Sequence, residues 1–274
     1  QRQMCIRDRY RMAIGEWILF LDSDDWIEDK TCEDNYAIGM KEGVDIVIFG
    51  TIQEFGHCKN PFKYHFEYGS IFIWEKCRKL QCEILNFTGN IATAWAKLIR
   101  KNILDRYHVE HNEILRQGSE GVEFNIRLFE HIRSAYFTSN IYYHYIYNPN
   151  SISAKHNEQN HYFVIKCFEE IQKQISVSDN KDSLEMLFYN RFAYVVVAAA
   201  ISGYFSPTNK EKYKVQKKKY LLYLNQTLVK NTLLNVKAKD MELQRAVVLF
   251  LIKRHCFFPL KLLAKIRYKQ KHGG

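Results

Sequence analysis

Apolar residues fall along this chain in two regimes. Up to residue 153, short apolar runs alternate with turn-rich stretches and brief helical patterns. Beyond residue 157, long segments repeat apolar positions at helical spacing. The first run, residues 17–21 (Trp-Ile-Leu-Phe-Leu), follows Glu16 and ends on Asp22, Ser23, Asp24 and Asp25. Five unbroken apolar residues predict a strand buried on both faces of a sheet, with three acids at its carboxyl end. Residues 27–30 lead into a predicted helix through Met40, with acids crowding its first turn and Glu42 and Gly43 closing it. Residues 44–50 predict another buried strand. Strand, helix and strand form the crossover unit of a parallel α/β sheet.

Residues 51–70 mix aromatic and polar positions and predict loops and a hairpin. His57, Cys58 and His65 fall there at a spacing that matches no metal site. A helix is predicted over 71–86, ended by Thr88, Gly89 and Asn90. In the next helical pattern Val122, Ile126 and Phe129 share a face that Phe124 and Leu128 widen, so Glu120 lies at the N-terminal mouth of a core-facing helix. Residues 141–147 form an aromatic strand in which His144 reads as a packed, hydrogen-bonded side chain, and an Asn-Pro-Asn-Ser-Ile-Ser turn follows. Helices are then predicted over about 161–175, 183–202, 209–229 and 241–255, with Gly203 and Pro207 separating the second from the third. Residues 1–9 show neither strand nor helix periodicity and read as a non-native remnant ahead of a chain that begins near Tyr10. The expected organisation is therefore a remnant over 1–9, an α/β domain over 10–153 and a helical, basic region over 154–274.

Composition sharpens this outline. At 274 residues and 47% hydrophobic content the chain builds a packed core, which excludes a disordered protein. Its 18 Phe and 18 Tyr offer stacking surfaces for sugars or bases. The net charge of +10 is uneven: from Tyr204 onward there are 17 basic and 3 acidic residues, leaving 23 basic and 27 acidic before it. That asymmetry suggests chemistry in the front and attachment to an anionic partner at the rear. Seven cysteines without a Cys-x-x-Cys pair argue against a disulfide framework or structural zinc and fit a reducing cytoplasm; Cys77 and Cys82 read as ordinary buried or half-buried thiols. Without a secretory signal or a run of about 20 apolar residues, membrane contact would be peripheral. Residues 256–269 interleave apolar and basic positions as an amphipathic helix whose Phe257, Phe258 and Leu263 could enter an anionic leaflet. Packing on the protein's own core and gripping nucleic-acid phosphates are the alternatives, but no nucleic-acid motif accompanies them and nucleic acid is not expected as a partner.

The acids carry the chemistry. Asp22 and Asp24 offer hard oxygen ligands suited to Mg²⁺ or Mn²⁺ beside a phosphate, and three crowded carboxylates repel one another unless a cation joins them. An ordinary helix start would also tolerate these acids. A phosphatase of the haloacid dehalogenase type likewise places two Asp after a strand, but its motif continues with small residues where Asp25 and Trp26 stand here. The segment 15–26 resembles the metal-binding DXD segment of family 2 glycosyltransferases, GT-A enzymes that move a sugar from a nucleotide carrier to an acceptor hydroxyl. Residues 95–100 (Trp-Ala-Lys-Leu-Ile-Arg) are similar to that family's Trp-x-Lys-Leu-x-Arg segment near the sugar and acceptor pocket. Glu120 matches the Glu of its Glu-Asp pair, in which the Asp is the base, whereas Gly121 departs from it at the Asp position, which leaves the role to Glu120, with Glu123 a poorer second choice, or leaves the protein catalytically impaired.

The resemblance covers about residues 15–153. It implies an α/β fold, a partial GT-A (nucleotide-diphospho-sugar transferase, Rossmann-like) sheet followed by an all-helical C-terminal region. Asp22 and Asp24 would hold Mg²⁺ or Mn²⁺ against the donor diphosphate. Trp95 would stack on the sugar or anchor the core, and Lys97 would face diphosphate or solvent. The implied enzyme is metal-dependent and inverting, takes a nucleotide-diphospho-sugar donor and a glycan or lipid-linked glycan acceptor, and serves bacterial surface-polysaccharide synthesis from the cytoplasm, at the inner membrane face. In the family, a strand, a helix and a second acid-ended strand precede the metal segment. Their absence here makes the sequence look like a fragment lacking half of the donor site. A catalytically inactive, truncated GT-A scaffold that binds a membrane or partner is the competing expectation.

Overall fold

A mixed sheet of seven strands is built from the residues before 148, and a cap of helices from those after 157. The computed structural model describes residues 2–56, 58–115, 118–148, 158–237 and 241–272. A helix, α1 (Arg2–Met12), precedes β1 (Trp17–Leu19), β2 (Trp26–Ile27), α2 (Thr31–Glu42), β3 (Ile46–Phe55), β4 (Cys58–Pro61) and β5 (Ser70–Ile73). Then come α3 (Glu75–Leu85), β6 (Lys97–Arg100), α4 (Lys101–Arg106), α5 (Glu120–Phe129) and β7 (Ser134–Ile146). The main path of the sheet runs β1-β6-β3-β7-β2, with β4 on β3 and β5 on β7.

The expected crossover is present with a strand inserted in it. β1 and β3 each pair antiparallel with β6, so they run parallel to one another with β6 between them. α2 makes the return and ends, as the sequence predicts, on Gly43 in the left-handed region (φ 63°). The doubly buried strand is β3, not β1: Ile46, Val47, Ile48 and Phe49 have almost no exposure and pair with β7 in parallel. β1 is three residues long, only its Ile18 is buried, and Leu21 beyond it is 47% exposed. The reason is position, since β1 ends the sheet path and pairs on one side among the described residues. Its Trp17 lies against α2, where a Cβ on Gly39 would come within 2.7 Å of the indole, and beneath the Arg100 guanidinium at 4.5 Å.

Two other expectations change. Residues 71–73 belong to a strand, not to the first turn of a helix, because pairing with β7 captures Ser-Ile-Phe-Ile at 70–73. Residues 2–12 are helical despite lacking periodicity. This helix has no continuous apolar stripe, so tertiary contacts fix it: Tyr10 is buried in the core and its hydroxyl donates to Asp105, Arg7 pairs with Glu113 and Arg11 with Glu110. The Asn-Pro-Asn-Ser-Ile-Ser turn, from Pro149 on, and His57 lie outside the described residues. His65 Nδ1 donates to the Glu83 carboxylate (2.8 Å), and His65 takes part in no metal cluster among the described residues. Cys77 is buried and Cys82 half-buried, and burial pushes the Cys77 thiol up to about 11, which leaves it inert.

The rear comprises α6 (Glu158–Val177), α7 (Lys181–Ala198) running into a π-helical turn (Ala199–Tyr204), α8 (Tyr213–Leu224), α9 (Thr227–Asn235), α10 (Leu243–Lys253) and α11 (Phe257–His272). The single helix expected over 209–229 is two, broken where Gln226 turns extended without a Gly or Pro to mark it. One hydrophobic core joins α3 and α5 to α6 and α7 through Leu80, Phe124, Phe168 and Phe192. Residues Lys181–Tyr204 are long and apolar enough to cross a membrane, yet 50% of that window is buried within the protein. In α11, Phe257 turns inward against Phe205 and Tyr220, and Leu263 is half-buried. The exposed apolar stripe consists instead of Phe258, Leu262 and Ile266, four residues apart.

Candidate active site

The chain leaves β1 through Phe20 and turns sharply at Asp22, where Asp25 N–H donates to the Asp22 carbonyl (3.1 Å). Ligand oxygens of Asp22, Asp24 and Asp25 lie within 4.8 Å of one another. Asp25 is the anchored member: one oxygen accepts the Tyr143 hydroxyl (2.7 Å) and the other the Ile146 N–H (2.9 Å). The same hydroxyl accepts Asp22 N–H at 3.3 Å, so a single phenol holds both ends of the turn. Burial raises the Asp25 carboxyl above its ordinary value against these hydrogen bonds, and repulsion from Asp24 and Asp22 adds to the rise. A cation among the three would reverse that repulsion. Asp24 is exposed and Asp22 half-buried. The all-carboxylate donor set fits Mg²⁺ or Mn²⁺ in chemistry and reach, with Asp22 and Asp24 the residues that would hold it.

Trp95 stands behind this turn. Its indole stacks on Tyr143 (4.5 Å, 11°) and Tyr145 (5.9 Å, 16°) and is 9% exposed, so of its two expected uses the structure places it in the core. Lys97 faces neither solvent nor an open cleft. It is 1% exposed, and its Nζ donates to the carbonyls of Thr93 (2.6 Å) and Trp95 (3.4 Å). Desolvation without a carboxylate partner depresses it to about 7. The charge that suggested an exposed side chain braces the 93–97 turn from inside.

Glu120 opens α5, as the helical pattern predicts, and its carboxylate accepts Gly118 N–H (2.8 Å). Phe124, one turn on, meets Phe20 edge-to-face at 5.4 Å and so sets α5 against the segment that carries the acids. Glu123 is unsuitable as a base: it is 2% exposed and held by Arg127 through two hydrogen bonds of 2.7 and 2.9 Å. Gly121 is required by its surroundings. A Cβ there would lie 2.8 Å from the Ala92 carbonyl oxygen and 3.1 Å from Ala94 N, backbone atoms of the loop pinned by Asn125. An Asp at 121 would have to displace that loop.

Sequence reasoning missed the brace. Tyr143 and Tyr145 share a face of β7 by strand alternation, and that face points at Trp95. On the opposite face His144 bonds Glu54 (2.8 Å) and Glu28 (2.9 Å) and stacks on Trp26 at 3.5 Å, fixing the chain just after the acids. The signal was the aromatic density of residues 142–147, which needed the β2–β7 register, Trp26 opposite His144, to become legible.

Residues 9–107 match the family model described as glycosyl transferase family 2. Over 169 residues the chain is 22% identical to the poly(ribitol-phosphate) beta-N-acetylglucosaminyltransferase TarP of Staphylococcus aureus, taking in 60% of this chain and 48% of that protein. The chain thus spans about half the length of this curated relative. The structure of S. aureus TarS 1-349 in complex with UDP-GlcNAc superposes with a TM-score of 0.60 at 16% identity, covering 97% of this chain and 71% of that one. A longer S. aureus TarS structure gives 0.58 at 16% identity over 94% of this chain and 41% of its own. The family match ends before α5 and the fold match continues through the rear helices. Residues 9–107 are thus similar to glycosyl transferase family 2, within a GT-A fold that carries a helical C-terminal region.

Proposed function

We propose that the chain transfers a sugar, N-acetylglucosamine as in the names of its relatives, from a uridine-diphosphate carrier to a hydroxyl of a bacterial surface glycan. The observation that carries this reading is the braced turn of Asp22, Asp24 and Asp25 at the end of β1. A divalent ion bound by Asp22 and Asp24 would supply charge neutralisation for the diphosphate as it leaves. Glu120 accepts the proton of the attacking hydroxyl; the new bond forms at the sugar's anomeric carbon as the bond to the diphosphate breaks on the opposite face, which inverts the centre. Tyr143, Trp95 and Lys97 act through the loops they hold.

The test is titration of the full chain with UDP in the presence and absence of Mn²⁺, followed by turnover of UDP-N-acetylglucosamine with a polyol-phosphate acceptor. Manganese-dependent binding with turnover that Glu120→Gln removes, binding being retained, supports the reading; absence of manganese-dependent binding sinks it. The tight seat of Gly121 favours a second reading, a GT-A scaffold without chemistry. That reading expects nucleotide to bind and no sugar to be transferred.

The exposed stripe of α11, Phe258, Leu262 and Ile266 among Lys261, Lys265, Arg267 and Lys269, suits the anionic cytoplasmic leaflet, at about 1 kcal/mol per nearby cation. Flotation with phosphatidylserine vesicles, lost in Phe258→Asp/Leu262→Asp and absent with neutral vesicles, is the expected result. Equal recovery with both kinds of vesicle would refute it.

A further inference from the structure

Away from the acids, a cavity of about 500 Å³ opens where the end of α3 meets α7 and the segment after α9. Its wall includes Leu85, Phe87, Leu187, Asn190, Arg191 and Lys237, and among the described residues none that lines it is acidic. Arg191 is the unusual member. Its guanidinium lies 4.9 Å over the Phe87 ring and makes one weak hydrogen bond, from Nη1 to the Asn86 carbonyl at 3.4 Å. No carboxylate pairs with it among the described residues. Burial lowers it to about 10, and only Tyr194 offsets that. A guanidinium has five N–H donors, and those that Arg191 does not use within the protein remain open to a ligand in the half-closed cavity.

The neighbouring cation shows the contrast. Arg245 sits between Phe87 (4.9 Å) and Tyr194 (4.3 Å) and is satisfied by Glu242 at 2.9 Å. The stack of Phe87 on Tyr194 (4.7 Å, 18°) therefore forms a rigid back wall that fixes where Arg191 points. Lys237 stands exposed at the rim and adds a second positive charge. Asn190 adds an amide donor, and Leu85, Leu187 and Met186 supply an apolar side.

We infer that this cavity binds a phosphate group, held by the fork of Arg191 and by Lys237, with any carbon chain attached to it lying against Leu187 and Met186. Planar, multi-donor recognition is what phosphate oxygens take from arginine, and Lys237 at the mouth acts as a point charge. The site is separate from the acids of the β1 turn and does not depend on sugar transfer there.

The test uses the full chain and two probes, inorganic phosphate and the phosphodiester glycerophosphorylglycerol, titrated by calorimetry at low and moderate salt. Binding is expected to weaken with salt, to fall at least tenfold in Arg191→Gln and to fall several-fold in Lys237→Glu. Lys237 is exposed, so that second variant leaves folding intact. Tighter binding of the diester assigns the site to a phosphodiester chain, and tighter binding of inorganic phosphate assigns it to the free anion; both outcomes uphold a phosphate site. No binding of either probe, or binding that Lys237→Glu leaves unchanged, overturns it. Manganese-dependent UDP binding, measured on the same variants, is expected to be unaffected, so failure of the cavity and failure of the donor site are read separately.

Discussion

Asp24→Asn is expected to weaken manganese-dependent UDP binding by at least about 100-fold while leaving the melting temperature unchanged, and Asp25→Asn to do nearly the reverse. The two acids are adjacent in sequence and differ in what their oxygens touch. Asp24 is exposed, so its loss costs the fold little, and under the proposed function its carboxylate would serve the metal. Loss of an outer-shell partner alone commonly costs 10–100-fold in metal affinity, so loss of a ligand should cost roughly 100-fold or more. Asp25 spends both oxygens on Tyr143 O–H and Ile146 N–H. Asparagine offers one acceptor where two donors converge, and the Tyr143 hydroxyl already accepts Asp22 N–H. Leaving one donor unanswered should cost about 1–3 kcal/mol, partly offset by relief of repulsion among the three acids. That corresponds to a loss of about 5 °C for a chain of this size. Calorimetric melting and UDP titration on both variants separate the roles. Undiminished affinity in Asp24→Asn would remove the metal assignment, and lost affinity with unchanged melting in Asp25→Asn would make Asp25 a ligand instead of a brace.

What could be read in the sequence was what short-range chemistry determines. The acids after an apolar run, the helix start at Glu120 and the close of α2 at Gly43 need only local pattern, and the structure has each where the sequence places it. What could not be read depended on partners distant in the chain. The run 17–21 looked doubly buried because apolar content does not tell a central strand from a terminal one; pairing decided it. Residues 71–73 carried a helical pattern that β7, more than 60 residues later, overrode. Charge misled at Lys97, because nothing in residues 95–100 says that the 93–97 turn folds its own carbonyls around the ammonium. Gly121 was visible as a departure from the family pattern, whereas its physical reason, the carbonyl of Ala92 at 2.8 Å, lies in a loop about 30 residues upstream.

Lys97→Met is the substitution expected to change stability most. The folded chain holds Lys97 at about 7 against an ordinary 10.5 because burial penalises the charged form. Between those two values the unfolded chain binds a proton that the folded chain does not, so stability rises with pH from about 7 to about 10.5. Below 7 both states are protonated and the full penalty is present, on the order of 5 kcal/mol from a depression of this size. Methionine keeps an unbranched chain of similar reach in the same space and has nothing to titrate. Neither carbonyl is stranded by the change, since Thr93 O still accepts Asn125 Nδ2 at 2.8 Å and Trp95 O still accepts Thr93 Oγ1 at 3.4 Å. Denaturant unfolding of the native chain and the variant at pH 6.5, 8 and 9.5 should therefore give curves that differ most at pH 6.5, with the variant the more stable, and converge as pH rises. Groups common to both proteins cancel in that difference. Parallel curves would show that Lys97 keeps its proton in the folded chain at all three values, and the closed 93–97 turn would then have to open to water around it.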